Sequence, residues 1–163
     1  MSTKNTNSHL RVRMLCEGAM MVALAQVLSY IKLMELPNGG SLTPAIFPIV
    51  FFALRWGLGQ GLLAGFAFGL LQLIFDGAYA WGWQSMLLDY LVAFMALGMA
   101  ELFARPFKNR MVGVAVGTAV AGFLRFMCSF LSGVLVWGNL SDGLSAWTYS
   151  LVYNASYMLP ETL

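Results

Sequence analysis

The sequence predicts an all-α integral membrane protein, a six-transmembrane-helix bundle with its N-terminus cytoplasmic. Three observations carry that reading: 60% of the 163 residues are hydrophobic, only 10% are charged, and the mean hydropathy is +0.74. Soluble domains carry about 25% charged residues, and so apolar a chain could not cover its surface with polar side chains in water. A disordered chain would need the reverse, low hydrophobicity and high charge. At roughly 20 residues per crossing plus a short connection, the length accommodates about six spans in one compact domain.

Residues 1–13 form a polar cytoplasmic head, and 14–163 a single transmembrane domain. The first apolar run, Met14 to Met34, is long enough to span. Ala23-Leu24-Ala25 resembles a signal-peptide cleavage site, but Glu17 interrupts the apolar core upstream and hydrophobicity continues past it, so the segment is read as retained. The second run, 42–54, is short for a span and follows Pro37-Asn38-Gly39-Gly40-Ser41. Either its helix borrows those loop residues, or the loop folds back into the bundle, where irregular backbone is tolerated only against protein or water. The third span, 57–75, carries Gly61, Gly65 and Gly69 at a four-residue spacing, a smooth face for close helix packing. An aromatic-rich loop, 76–85, leads into the fourth span, 86–104. Arg105, Lys108 and Arg110 close it, the fifth span runs 111–137, and the sixth, 146–163, includes Pro160 and Glu161. That last segment is marginal for a full crossing, which leads us to expect a chain that continues beyond Leu163.

With alternating crossings, Lys4, Arg11, Arg13, Arg55, Arg105, Lys108 and Arg110 fall on one side and Lys32 alone flanks the other. The excess of basic residues marks the first side as cytoplasmic. The outer half then holds the loops at 35–41, 76–85 and 138–145, together with Trp81, Trp83 and Trp137. Net charge is only +2, and the basic residues form no clustered stripe, so no nucleic-acid partner is indicated. Cys16 and Cys128 sit in apolar runs without metal-ligand spacing and read as buried thiols. There is no phosphate-binding Gly-rich loop, the single His9 lies in the polar head, and no Ser-His pair or His-Cys-carboxylate cluster is present. Binding or transport is therefore favoured over enzymatic chemistry, with no cofactor and no metal.

Asp89 and Arg125 are ionisable residues inside spans, and such groups are costly enough in a bilayer to mark function. They could pair as a salt bridge between spans four and five. Asp89 also lies about one turn below the outer end of its helix, within reach of an external cation. Around it cluster Tyr79, Trp81, Trp83, Tyr90, Trp137, Trp147, Tyr149, Tyr153 and Tyr157. An interfacial Trp/Tyr belt accounts for most of these singly. Those that face a shared cavity would suit a flat, positively charged organic molecule, held by stacking, cation–π attraction and one carboxylate. Asn154 could read the edge of a heterocycle or make an interhelical hydrogen bond.

At Leu88-Asp-Tyr-Leu-Val-Ala-Phe94, Arg125-Phe-Met-Cys-Ser-Phe-Leu-Ser-Gly-Val134 and Tyr149-Ser-Leu-Val-Tyr-Asn-Ala-Ser-Tyr-Met-Leu-Pro-Glu161, the chain resembles the thiamine-specific substrate-binding subunits (S components) of energy-coupling factor transporters. Pro37-Asn-Gly-Gly-Ser41 and Ala53-Leu-Arg-Trp-Gly57 add to the likeness. The resemblance implies a six-helix bundle in the cell membrane that captures thiamine, or a thiamine-like aromatic cation, from outside. It implies docking onto a transmembrane coupling protein powered by two ATPase subunits, with Ala19 and Ala23 as a small-residue docking motif. It further implies that Asp89 beside Tyr90 faces the thiazolium, that Tyr79 and Trp137 are aromatic contacts, that Tyr149 and Asn154 take the aminopyrimidine, and that Gly133 lines the pocket. Ser129 stands where the family commonly has histidine. The alternative is a stand-alone proton-coupled carrier of an organic cation using Asp89 and Arg125.

Overall fold

The computed structural model describes residues 3–36, 41–76, 82–137 and 145–162. The first helix, α1, runs Thr3–Ser29, so the polar head continues the helix rather than preceding it. It stops before the expected Met34, because Met34–Glu35 (β1) pairs antiparallel with Ser41–Leu42 (β2). A hydrogen-bonded hairpin thus takes residues that periodicity alone would give to helices. The second helix, α2, spans Ile46–Trp56 and does not borrow the preceding loop; Pro48 is tolerated in its first turn, where no intrahelical donor is needed. Residues 37–40 lie outside the described chain.

Gly57 takes φ 96°, a left-handed conformation suited to glycine, and separates α2 from α3, Leu58–Asp76. The fourth helix, α4, spans Gly82–Ala104, four residues earlier than expected, so Ser85 belongs to the helix and not to the loop. Its segment Met86–Val92 is π-helical. The fifth helix, α5, runs Arg110–Ser132 and continues as a second π-helical stretch, Gly133–Trp137. Asn109 caps it, its side-chain oxygen accepting from the Met111 N–H at 3.0 Å. The last helix, α6, is Ala146–Thr162. Among the described residues, α1 and α3 to α5 contain segments long and apolar enough to cross a bilayer, whereas α2 and α6 are shorter. This is a multi-pass membrane architecture.

Glycine seams hold the bundle together. A Cβ on Gly65 would lie 2.3 Å from the Phe94 carbonyl oxygen, one on Gly69 2.2 Å from that of Tyr90, and one on Gly61 2.8 Å from that of Gly98. The spacing seen in the sequence therefore seats α3 directly on the backbone of α4. A second seam joins α5 to α4, where a Cβ on Gly117 would lie 2.3 Å from the Ala100 carbonyl and one on Gly113 2.8 Å from that of Ala104. Between the seams sits an apolar core of Ile49, Val50, Phe68, Phe94 and Leu97. Phe68 meets Phe94 edge-on at 4.8 Å, a favoured aromatic geometry.

One end of the bundle carries Arg55, Arg105, Lys108 and Arg110, and an Arg55–Glu17 ion pair of 2.8 Å ties α2 to α1 there. The opposite end, where α5 stops and α6 starts, is the aromatic end. Toward it lie the buried polar side chains among the described residues, including Gln26, Gln72, Ser85, Ser129, Ser132, Ser150 and Asn154.

Candidate functional site

Asp89 sits in the π-helical stretch of α4. A π turn carries one residue more per hydrogen-bonded ring than an α turn, which re-aims side chains locally and is common at functional sites. Here it aims the half-buried carboxylate of Asp89 at α5. One carboxylate oxygen, Oδ2, accepts from Ser85 Oγ at 2.8 Å and from Ser132 Oγ. The Ser129 hydroxyl also hydrogen-bonds it, and the charge of Arg125 acts on it from the neighbouring turn of α5. Ser85 and Ser132 are 2% and 0% exposed. A carboxylate in an apolar bundle is costly unless hydrogen-bonded, and this serine collar supplies such bonds from uncharged donors.

Arg125 does have an aromatic neighbour, its guanidinium lying 4.8 Å from the centre of the Phe94 ring. Next to the collar, α6 closes on α5 at Gly133. A Cβ there would come within 2.2 Å of Ser150 Oγ and 3.4 Å of Asn154 Nδ2, so this position demands glycine. Ser150 donates to the Phe130 carbonyl at 2.8 Å, and Asn154 Nδ2 donates to the Ser150 carbonyl at 2.9 Å and the Ser129 carbonyl at 3.4 Å. Asn154 thus makes the interhelical bond that the sequence left open, and the same contacts fix its amide beside Ser129 and Gly133. Tyr149 and Tyr153 stack one turn apart, with ring centres 6.0 Å apart and planes at 14°. Tyr90, the next residue of α4, is partly buried and packs against the apolar core.

Of the residues singled out from the sequence, Asp89, Ser129, Gly133 and Asn154 converge where α4, α5 and α6 meet, and Tyr149 lies one turn from Asn154 toward the aromatic end. Tyr79 and Trp81 lie outside the described residues, as does the side chain of Trp137, whose backbone ends the second π stretch. Sequence reasoning missed Ser85, Ser132 and Ser150. Their signal was spacing: Ser85 stands four residues before Asp89, Ser150 four before Asn154, and Ser129 three before Ser132, each pair on one helix face. Ala19 and Ala23 are exposed on α1, whose contact with α2 runs instead through Gly18 against the Phe52 ring.

Long apolar helices in close backbone contact, with a half-buried carboxylate held by serine hydroxyls toward one end, define a multi-pass membrane protein with a candidate binding site inside the bundle. The comparisons make the class specific. The family described as "Thiamine transporter protein (Thia_YuaJ)" matches residues 15–163, and the chain belongs to that family. It is 33% identical over 159 residues to "Thiamine transporter ThiT" of Bacillus subtilis (strain 168), covering 90% of this chain and 83% of that protein. The protein of the same name from Lacticaseibacillus paracasei is 31% identical, over 95% of this chain and 84% of its own length. A solved structure of ThiT from Listeria monocytogenes superposes with a TM-score of 0.81 at 26% identity, covering 93% and 88% of the two chains. The S component of a bacterial ECF transporter shares the fold, with a TM-score of 0.60 at 18% identity over 93% and 85%.

Proposed function

We propose that this protein captures thiamine, or a closely similar aromatic cation, at the aromatic end of the bundle, as the substrate-binding subunit of an energy-coupling factor importer. The observation that carries the reading is the Asp89 carboxylate, held by serine hydroxyls at the junction of α4, α5 and α6. Hydrogen bonds from neutral hydroxyls orient a charge without neutralising it, so the site keeps its attraction for a thiazolium-like cation. Asn154 and Tyr149 flank it on α6 and supply an amide and an aromatic face for the uncharged ring, with Tyr79, Tyr90 and Trp137 proposed as further aromatic contacts. Ser129 and Gly133 form the floor between them.

The excess of basic residues at the opposite end supports a cytoplasmic position for that end and the N-terminus, with the ligand entering from outside. All six helical segments then traverse or dip into the bilayer, with α2 and α6 as the short ones. Ala19 and Ala23, exposed four residues apart on α1, offer a face on which a coupling-protein helix can approach closely. In this reading the energy comes from ATPase partners of that coupling protein.

Quenching of tryptophan fluorescence by thiamine in the solubilised protein tests the reading. We expect saturable quenching that is lost in Asp89→Asn and strongly weakened in Trp137→Ala; wild-type affinity in both variants would remove the site. Uptake by this chain alone in proteoliposomes would favour the proton-coupled carrier instead. Bulky replacements at Ala19 and Ala23 are expected to abolish cellular uptake while leaving binding intact, and loss of binding in the purified variant would count against a docking role.

A further inference from the structure

At the end of the molecule opposite Asp89, a cavity of about 470 Å³ opens between the end of α2, the α4–α5 connection and the start of α5. Arg55, Arg105, Lys108 and Arg110 stand around it. Two of these charges are already matched, Arg55 by Glu17 at 2.8 Å and Arg105 by Glu101. Among the described residues Lys108 and Arg110 have no ion-pair partner, so the cleft carries an unanswered double positive charge. The N-terminus of α5 begins at Arg110 and adds the positive pole of a long helix to the same rim. Below the rim the walls are apolar. They include Phe51, Leu54 and Val114, of which Phe51 and Val114 remain 54% and 38% exposed.

We infer that this cleft binds the phosphate headgroup of an anionic phospholipid, the phosphodiester against Lys108 and Arg110 and the upper acyl chain against Phe51 and Val114. A cationic rim above an open apolar wall fits an amphipathic anion, whereas a free phosphate would leave the wall unused. Basic clefts between helices at a membrane surface are suited to such headgroups, and each Lys or Arg near an anionic surface contributes about a fivefold preference. The site is separate from the proposed thiamine site and does not depend on it.

Native mass spectrometry of the full chain in detergent, with phosphatidylglycerol and phosphatidylcholine offered at equal concentration, reads the inference directly. We expect selective retention of phosphatidylglycerol, and loss of that selectivity by about fivefold per cation removed in Lys108→Gln/Arg110→Gln. Arg110→Gln alone, at an exposed position, gives the same reading as a single loss of about fivefold if the double variant loses helicity. The triple variant Lys4→Gln/Arg11→Gln/Arg13→Gln, which removes basic charge from the helical head, should keep the selectivity. Equal retention of the two lipids, an unchanged double variant, or an equal loss in the head variant would each overturn the lipid site. Displacement of phosphatidylglycerol by equimolar glycerol phosphate would also overturn it, by showing that the headgroup alone is what the cleft holds.

Discussion

The two halves of this bundle solve the helix-packing problem differently. Toward the basic end, α3, α4 and α5 meet backbone to backbone through Gly61, Gly98, Gly113 and Gly117, with Ala53 and Ala100 filling the gaps. Toward the aromatic end α5 meets α4 and α6 through hydroxyls and amides, Ser85 and Ser132 on Asp89, Ser150 on Phe130, Asn154 on Ser129. In lipid there is little hydrophobic drive between helices, so both devices work, close van der Waals contact in one half and interhelical hydrogen bonds in the other. The difference teaches where binding chemistry can be afforded. Helices packed through glycine and alanine leave no room for a guest between them, while a polar helix junction can offer hydrogen bonds and charge to one.

The largest effect that would sharpen this contrast is expected from Asp89→Asn, which removes the charge but keeps the shape. Thiamine affinity should fall by about 3 kcal/mol, more than a hundredfold, as for a desolvated ion pair that loses one member. Thermal stability should hold, because the amide still accepts from Ser85 and Ser132. A large drop in melting temperature with intact affinity would turn the carboxylate into a structural element. Next comes Gly65→Val in the seam, where the Phe94 carbonyl cannot yield. A stability loss of about 2–3 kcal/mol is expected in chemical unfolding, the cost of overpacking a close contact. Wild-type stability would show that the seam is not tight.

A smaller effect is expected from Ser132→Ala. Losing one hydroxyl from the collar should weaken thiamine binding by about 1 kcal/mol, roughly fivefold, through a less well-held carboxylate. Titration by fluorescence quenching checks it, and tighter binding in the variant would mean that the serine competes with the ligand for Asp89. The smallest is Gly59→Ala on α3, whose added Cβ meets nothing within 4 Å. It should stabilise by about 0.5–1 kcal/mol through helix propensity alone. Destabilisation there would place an unseen contact on that face.

Much of the seam was legible in the sequence and less of the site. Gly61, Gly65 and Gly69 announced their role by spacing, because a helix puts every fourth residue on one face. Gly113 and Gly117 carry the same signal, hidden within a span defined mainly by Arg125. The end of α1 was not legible: Leu33 and Met34 are apolar enough for a helix, and only pairing with Leu42, a contact across the chain, gives them to a hairpin. Asp89 stood out because a charge in an apolar run needs a reason. Its serine partners did not, since a serine in a membrane helix is unremarkable until its neighbour on the next helix is known. The π-helical turns that aim Asp89 leave no composition signal, and the exposure of Ala19 and Ala23 depends on Gly18 taking the contact with α2 instead.

The glycine seams have one mechanical consequence. With helices in carbonyl-to-glycine contact from Tyr90 down to Ala104, nothing as wide as an aromatic ring can slip between α3, α4 and α5 while those contacts last. A guest seated beside Asp89 is therefore closed off along those two seams, and a route to the far side has to run elsewhere in the bundle or part them.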